Sequence, residues 1–293
     1  MTIEGVTQSN RAPPAHLGVF VAATLTLSWG ISFVVIGETI PWFTTVLIMF
    51  SPAVVVLSIR RATGHSILRT IRSSLRGTTW VSLGFAIIYP VVFIGVAALV
   101  ALTTGLGTYQ PGADNVLREI IAANGVLLPI WVVLNLIIVY GEELGWRGYL
   151  LPELTNRWGR VRAAGAVGVV WGLYHAAFLY NAGVVLGVAN PLLITVIQGS
   201  AAFTMSFAFA YSYYLTDGSV LPAMIMHLLW NIINPWILGD IYANVDGVVG
   251  GQVFMINGEG LVGLVIGLVA LGGFVVLFRR GILIREPGDG PRP

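Results

Sequence analysis

Glu142, Glu143 and Arg147 fall within six residues of one another, in the run Val139-Tyr140-Gly141-Glu142-Glu143-Leu144-Gly145-Trp146-Arg147-Gly148, at the end of the apolar stretch 126–139. One charge in hydrocarbon costs about 2.5–3.5 kcal/mol on insertion scales, so three together need partners, water or a task. Glu143 and Arg147 are four residues apart and share a helix face, where they can pair. Glu142 lies about 100° round the helix and points elsewhere, and a carboxylate in such a setting suits general-base work. Two more titratable groups fall in apolar runs, each with a companion four residues away: His175 with Trp171, and His227 with Asn231. A carboxylate and an imidazole can deprotonate a water. An imidazole and an amide can donate to a developing oxyanion. Glu142, His175 and His227 could instead hold a divalent metal such as zinc, with water in the open position.

The elements that must position these groups are membrane spans. Of 293 residues, 56% are hydrophobic and only 10% charged, against about 25% charged in soluble domains; the mean hydropathy is +0.86. The chain reads as a single integral membrane domain, 1–293, with no room for a soluble catalytic module. It has no cysteine, which excludes thiol catalysis, disulfides and thiolate-bound metal. The small net charge of +2 comes from arginines in connecting segments and does not point to nucleic acid. At about 20 residues per span, the expected fold is all-α and polytopic, with about eight transmembrane helices and a conical catalytic cavity between spans 4, 5 and 7. The spans read as 17–37, 42–59, 80–102, 118–151, 163–185, 191–215, 220–238 and 261–278. A bend is expected at Pro90, and the flanking segments 1–16 and 279–293 read as tails. The first of these has neither a basic leading segment nor a small-residue cleavage site, so it reads as a tail and not as a signal peptide.

Arginine placement sets the orientation. With the N-terminus inside and strict alternation, thirteen of the fifteen arginines lie on the cytoplasmic side, and the exceptions are Arg118 and Arg147. Both termini are therefore expected in the cytoplasm, in a compact Lys-free chain that reads as a prokaryotic inner-membrane protein. Counting at 1.5 Å per residue puts His175 about 18 Å and His227 about 12 Å from the inner surface. The site is thus expected in the cytoplasmic half, in a cavity open to the cytoplasm. Trp42, Trp80 and Trp158, near span ends, read as interfacial anchors, and Asn135 as a polar contact between helices.

The ordered set Glu142-Glu143-x-x-x-Arg147, Trp171-x-x-x-His175 and His227-x-x-x-Asn231 resembles the CPBP (CAAX protease and bacteriocin-processing, or Abi) intramembrane endopeptidases, which include the type II CAAX prenyl endopeptidases. The resemblance covers 126–236, the catalytic core. It departs from the usual pattern in having Trp171 where the family has phenylalanine, which keeps an aromatic ring. The resemblance implies that Glu142 and His175 activate a water, that His227 and Asn231 stabilise the oxyanion, and that Glu143, Arg147 and Trp171 support them. It also implies a protein or peptide substrate, membrane-anchored or lipid-modified, met among membrane lipids. Both metal-dependent and metal-free glutamate mechanisms have been put forward for the family, and no HExxH motif is present.

The expected function is hydrolysis of a peptide bond near the cytoplasmic face by a glutamate-activated water. Two alternatives use the same residues. A transporter or proton relay would also place carboxylates and histidines inside the membrane, but should show inverted repeats, and the sequence shows none. A non-catalytic scaffold would tolerate loss of Glu142 or His175, and both are intact.

Overall fold

The computed structural model describes residues 13–111 and 116–284. The tail arginines Arg11, Arg285 and Arg292 lie outside the described residues. In chain order the elements are α1 (Pro14–Val35), α2 (Trp42–Ala62), α3 (Ile67–Ser74), α4 (Trp80–Thr104), β1 (Gly107–Tyr109), α5 (Val116–Asn124), α6 (Leu128–Gly145), a π-helical turn (Trp146–Leu150), α7 (Leu151–Val185), α8 (Pro191–Tyr214), α9 (Leu221–Leu238), β2 (Val249–Gly251), α10 (Val253–Ile256) and α11 (Leu261–Arg280). The fold is all-α and polytopic, as the apolar runs require: backbone in hydrocarbon must satisfy its own hydrogen bonds, which a helix does within one segment.

Seven helical runs are long and apolar enough to cross a membrane, one of which, Ile120–Val185, has 66 residues. That run contains the fourth and fifth spans expected from the sequence. Gly159 leaves the helical conformation inside it (φ 74°, ψ 167°), a backbone region that favours glycine. The chain folds back there. Glu142 and Trp171 are 29 residues apart, about 43 Å along a straight helix, yet the Trp171 indole donates to the Glu142 carboxylate at 2.8 Å. The seven runs therefore make eight passes. Pro90 sits within α4, which runs unbroken through it.

Two details escape the hydropathy pattern. The basic segment 60–76, read as loop, contains α3, capped by the Ser66 hydroxyl accepting from the Arg69 amide. The polar segment 239–258 contains β2, which pairs antiparallel with β1, Tyr109 opposite Val249.

The connections sort onto two faces. On one, the Thr79 hydroxyl donates to the Leu215 carbonyl, the Thr78 and Ser219 hydroxyls bond, the Thr155 hydroxyl meets that of Tyr214, and the Tyr211 hydroxyl donates to the Ile282 carbonyl. This face carries the arginines of 60–76, those of 157–162, and Arg279 and Arg280. On the other, the β1–β2 pair joins the α4–α5 and α9–α10 connections, and Phe178 contacts Tyr242. Arg118 is the arginine of this second face.

Candidate active site

The acidic motif is the last turn of α6 and the π-turn that follows. An inserted residue of this kind re-aims side chains and is frequent at functional sites. Gly141 and Gly145 flank the carboxylates with the small-xxx-small spacing of close helix contacts. A Cβ on Gly141 would meet the Met49 carbonyl, and one on Gly145 would meet the Pro52 ring. These glycines let α2 lie directly against the motif, and their spacing was visible in the sequence without having been singled out there.

The two carboxylates part as the helical angle requires. Glu143 and Arg147 are wholly buried and pair through Arg147 Nη1, 3.0 Å from Oε1 and 3.2 Å from Oε2. The guanidinium lies between two aromatic rings, 4.5 Å from the centre of a Trp171 ring and 4.3 Å from that of Phe209. Ring faces of this kind attract a cation, more strongly when it is desolvated. Arg147 Nε and Nη2 have no hydrogen-bond partner among the described residues, so the rings and Glu143 are what hold this charge.

Glu143 has a second partner that spacing within one helix could not reveal. Its Oε1 is 2.8 Å from His227 Nδ1. Since the carboxylate only accepts, the imidazole donates from Nδ1, and Nε2 is turned to the other side of the ring. His227 also edges Trp171 and Phe209. One aromatic pair thus packs against both Arg147 and His227.

Glu142, only 1% exposed, is held by two indoles. Trp171 Nε1 donates to Oε2 at 2.8 Å and Trp146 Nε1 at 3.2 Å. Its Oε1 faces His175 Nε2 at 3.9 Å. His175 Nδ1 is 2.9 Å from the Trp171 carbonyl, which only accepts, so Nδ1 carries a proton. Trp171 is therefore a positioning residue three ways: its indole N–H orients Glu142, its carbonyl fixes His175, and its ring covers Arg147. The sequence left Trp146 and Phe209 unassigned, since no pattern marks a tryptophan four residues after a glutamate as its donor.

Glu142, His175, His227 and Asn231 border one cavity of about 610 Å³. The sequence placed it between spans 4, 5 and 7. The structure walls it more widely, with Ile48 and Met49 of α2 and Gln198 and Met205 of α8 joining α6, α7 and α9. Asn135, by contrast, donates to the Trp131 carbonyl of its own helix at 2.8 Å and is not part of this wall.

The cavity lies toward the face away from the arginine-rich connections. It extends past Ile40, Pro41 and Trp42 and past Asp240, Tyr242 and Glu259, which belong to the face opposite the arginine-rich connections. The depth count placed the histidines relative to the arginine-bearing ends but said nothing of where packing is dense. On the arginine side the motif is sealed by Leu144, Trp146, Tyr149 and Leu150, all buried to 1% or less. At the open side the connection after α9 is tied to the site helix: the Trp230 indole donates to Glu259 at 2.9 Å, the Tyr242 hydroxyl donates to it at 3.0 Å, and Asn234 donates to Asn257.

A zinc site was the other chemistry these residues allowed. Among the described residues no three His, Asp or Glu side chains converge as a ligand set. His227 Nδ1 is engaged by Glu143 and Glu142 Oε2 by the two indoles.

Residues 124–233 match the family model of type II CAAX prenyl endopeptidase Rce1-like proteins. The matched segment runs from the turn before α6 into α9 and contains all seven residues that the sequence named as site or support. Comparison with curated proteins gave no match.

Proposed function

We propose that this integral membrane protein, with its Rce1-like core over residues 124–233, is an intramembrane endopeptidase that uses a glutamate-activated water. One observation carries the reading. Glu142 Oε1 and His175 Nε2 face each other at 3.9 Å on the cavity wall, while the remaining polar atoms of both side chains are engaged by Trp146 and Trp171. A water held between these two atoms meets a carboxylate that can take its proton and an imidazole that can orient it.

The steps follow from the groups present. Water attacks the scissile carbonyl carbon as its proton passes to Glu142. A C–O bond forms and the carbonyl oxygen becomes an oxyanion. His227 and Asn231 donate to that oxygen. For His227 to donate from Nε2 while Nδ1 donates to Glu143, the ring carries both protons, and the Glu143 carboxylate balances the added charge. Collapse of the intermediate breaks the C–N bond, and Glu142 returns its proton to the leaving amine. The buried cluster is then neutral in sum, two carboxylates against a guanidinium and an imidazolium, which suits a low-dielectric site.

The test compares membrane-protein N-termini in native cells carrying the wild-type chain or Glu142→Gln. New N-termini present only with the wild type are expected, and they name the substrate. Identical profiles with both proteins folded and expressed would overturn the reading.

A further inference from the structure

The cavity and the arginines lie toward opposite faces of the molecule. Every connection that borders the cavity, residues 36–41 and 239–260, belongs to the face whose described basic side chain is Arg118. No residue of the arginine-bearing connections 63–79 or 155–162 borders it. The cavity-side connections also carry Glu38, Asp240, Asp246 and Glu259, so charge as well as packing distinguishes the faces. Basic residues in short connections stay in the cytoplasm, and acidic ones contribute little to the choice.

From these two facts we infer that the catalytic cavity opens to the extracytoplasmic side, and that the substrate is a membrane-anchored polypeptide whose scissile bond is presented from that side. The inference rests on the peptidase reading for its substrate, but on geometry and charge alone for its direction. The cavity's wall chemistry agrees with such a substrate. Trp42, Ile48, Met49, Phe178 and Leu179 give the cavity an apolar wall fit for a transmembrane anchor, and Asn231, Gln198 and Glu142 give it polar groups that can meet a peptide bond. On the arginine side Leu144, Trp146 and Leu150 are buried, and the separate cavity there, bordered by Arg60, Ser66, Leu144 and Gly148, shares no lining residue with the one that holds Glu142.

The chain has no cysteine, so a single introduced cysteine reports one position. Ala243→Cys stands at the cavity mouth, Thr45→Cys on its wall, and Ser73→Cys in the arginine-rich connection; all three native residues are exposed. Intact cells are treated with a membrane-impermeant maleimide, then permeabilised and treated again. Labelling of Ala243→Cys and Thr45→Cys in intact cells, with Ser73→Cys reacting only after permeabilisation, is the expected result. The reverse pattern, or equal labelling of both faces in intact cells, overturns the direction. None of these readouts requires activity, so a failed peptidase reading leaves them unchanged. Where cleavage is found, the new N-termini should lie in extracytoplasmic segments of their substrates. Cleavage confined to cytoplasmic segments overturns the substrate assignment even if the labelling is as expected.

Discussion

Residues 128–138 of α6 are apolar except Asn135, and none is buried; Ile130, Val133 and Leu134 are each more than half exposed. The next twelve residues carry two carboxylates and a guanidinium, and all but Tyr140 and Gly148 are buried. In water the order would be reversed. Lipid tails are as apolar as leucine, so apolar side chains lose nothing by facing them, while charges must turn inward to find partners. The same helix therefore serves as an unclamped outer wall at one end and as the fixed floor of the site at the other. What holds the floor is specific: glycine contacts to α2, an ion pair, two indole donors and two covering rings.

Glu142→Gln should break the chemistry without touching this architecture, and it carries the largest expected effect. The amide oxygen can still accept from Trp146 and Trp171, but the group cannot take a proton. Peptide cleavage should be lost while the thermal midpoint in detergent stays near that of the wild type. Retained activity in the folded variant would sink the water-activation scheme.

Asn231→Ala comes next. Asn231 is on α9, exposed to the cavity, and in the proposed scheme its removal takes one oxyanion donor. Loss of one such donor costs about 10²–10³-fold in kcat, with KM little changed. A variant whose KM rises at constant kcat would make Asn231 a substrate-binding group instead.

Much of this was legible in the sequence for a plain reason: spacing on a helix is geometry. The i,i+4 pair Glu143–Arg147, the divergence of Glu142, and the eight passes all follow from 3.6 residues per turn and the length of a span. What was not legible depends on contacts between helices. Glu143 reaching His227 and Phe209 covering Arg147 need the angle at which α6, α8 and α9 meet, which no periodicity encodes. The face on which the cavity lies was not legible either, because charge placement records which face is basic, whereas access depends on where side chains leave space.

Arg147→Ala sharpens the contrast between the two halves through stability. It leaves Glu143 buried with His227 as its remaining partner, and breaking a buried pair from one side costs about 3–5 kcal/mol. The variant should show a lower thermal midpoint and poorer yield. Replacing both charges, Arg147→Met with Glu143→Leu, should recover most of the stability, since a buried pair can be exchanged for apolar residues of similar volume at little cost. It should not recover cleavage, because His227 then lacks the carboxylate that fixes its Nδ1 proton. Cleavage at wild-type rate in that double variant would remove Glu143 from the positioning of His227.

The smallest effect is expected where hydropathy would place the core of a soluble protein. Val133→Ala and Ile137→Ala remove apolar atoms from the outer half of α6, yet both side chains are about half exposed and face surroundings where no water is displaced. Substitutions away from packed contacts change stability by about 0.5 kcal/mol or less, and these should do so here, measured by thermal unfolding in lipid nanodiscs. The contrasting change is Gly145→Ala, in the inner half, where one added methyl would meet the Pro52 ring of α2. Overpacking of this kind costs about 1–3 kcal/mol, so the smaller chemical change should have the larger effect. If Val133→Ala destabilises as much as Gly145→Ala, the outer half is clamped by contacts with another chain or an ordered lipid, and the division of α6 into free wall and fixed floor fails.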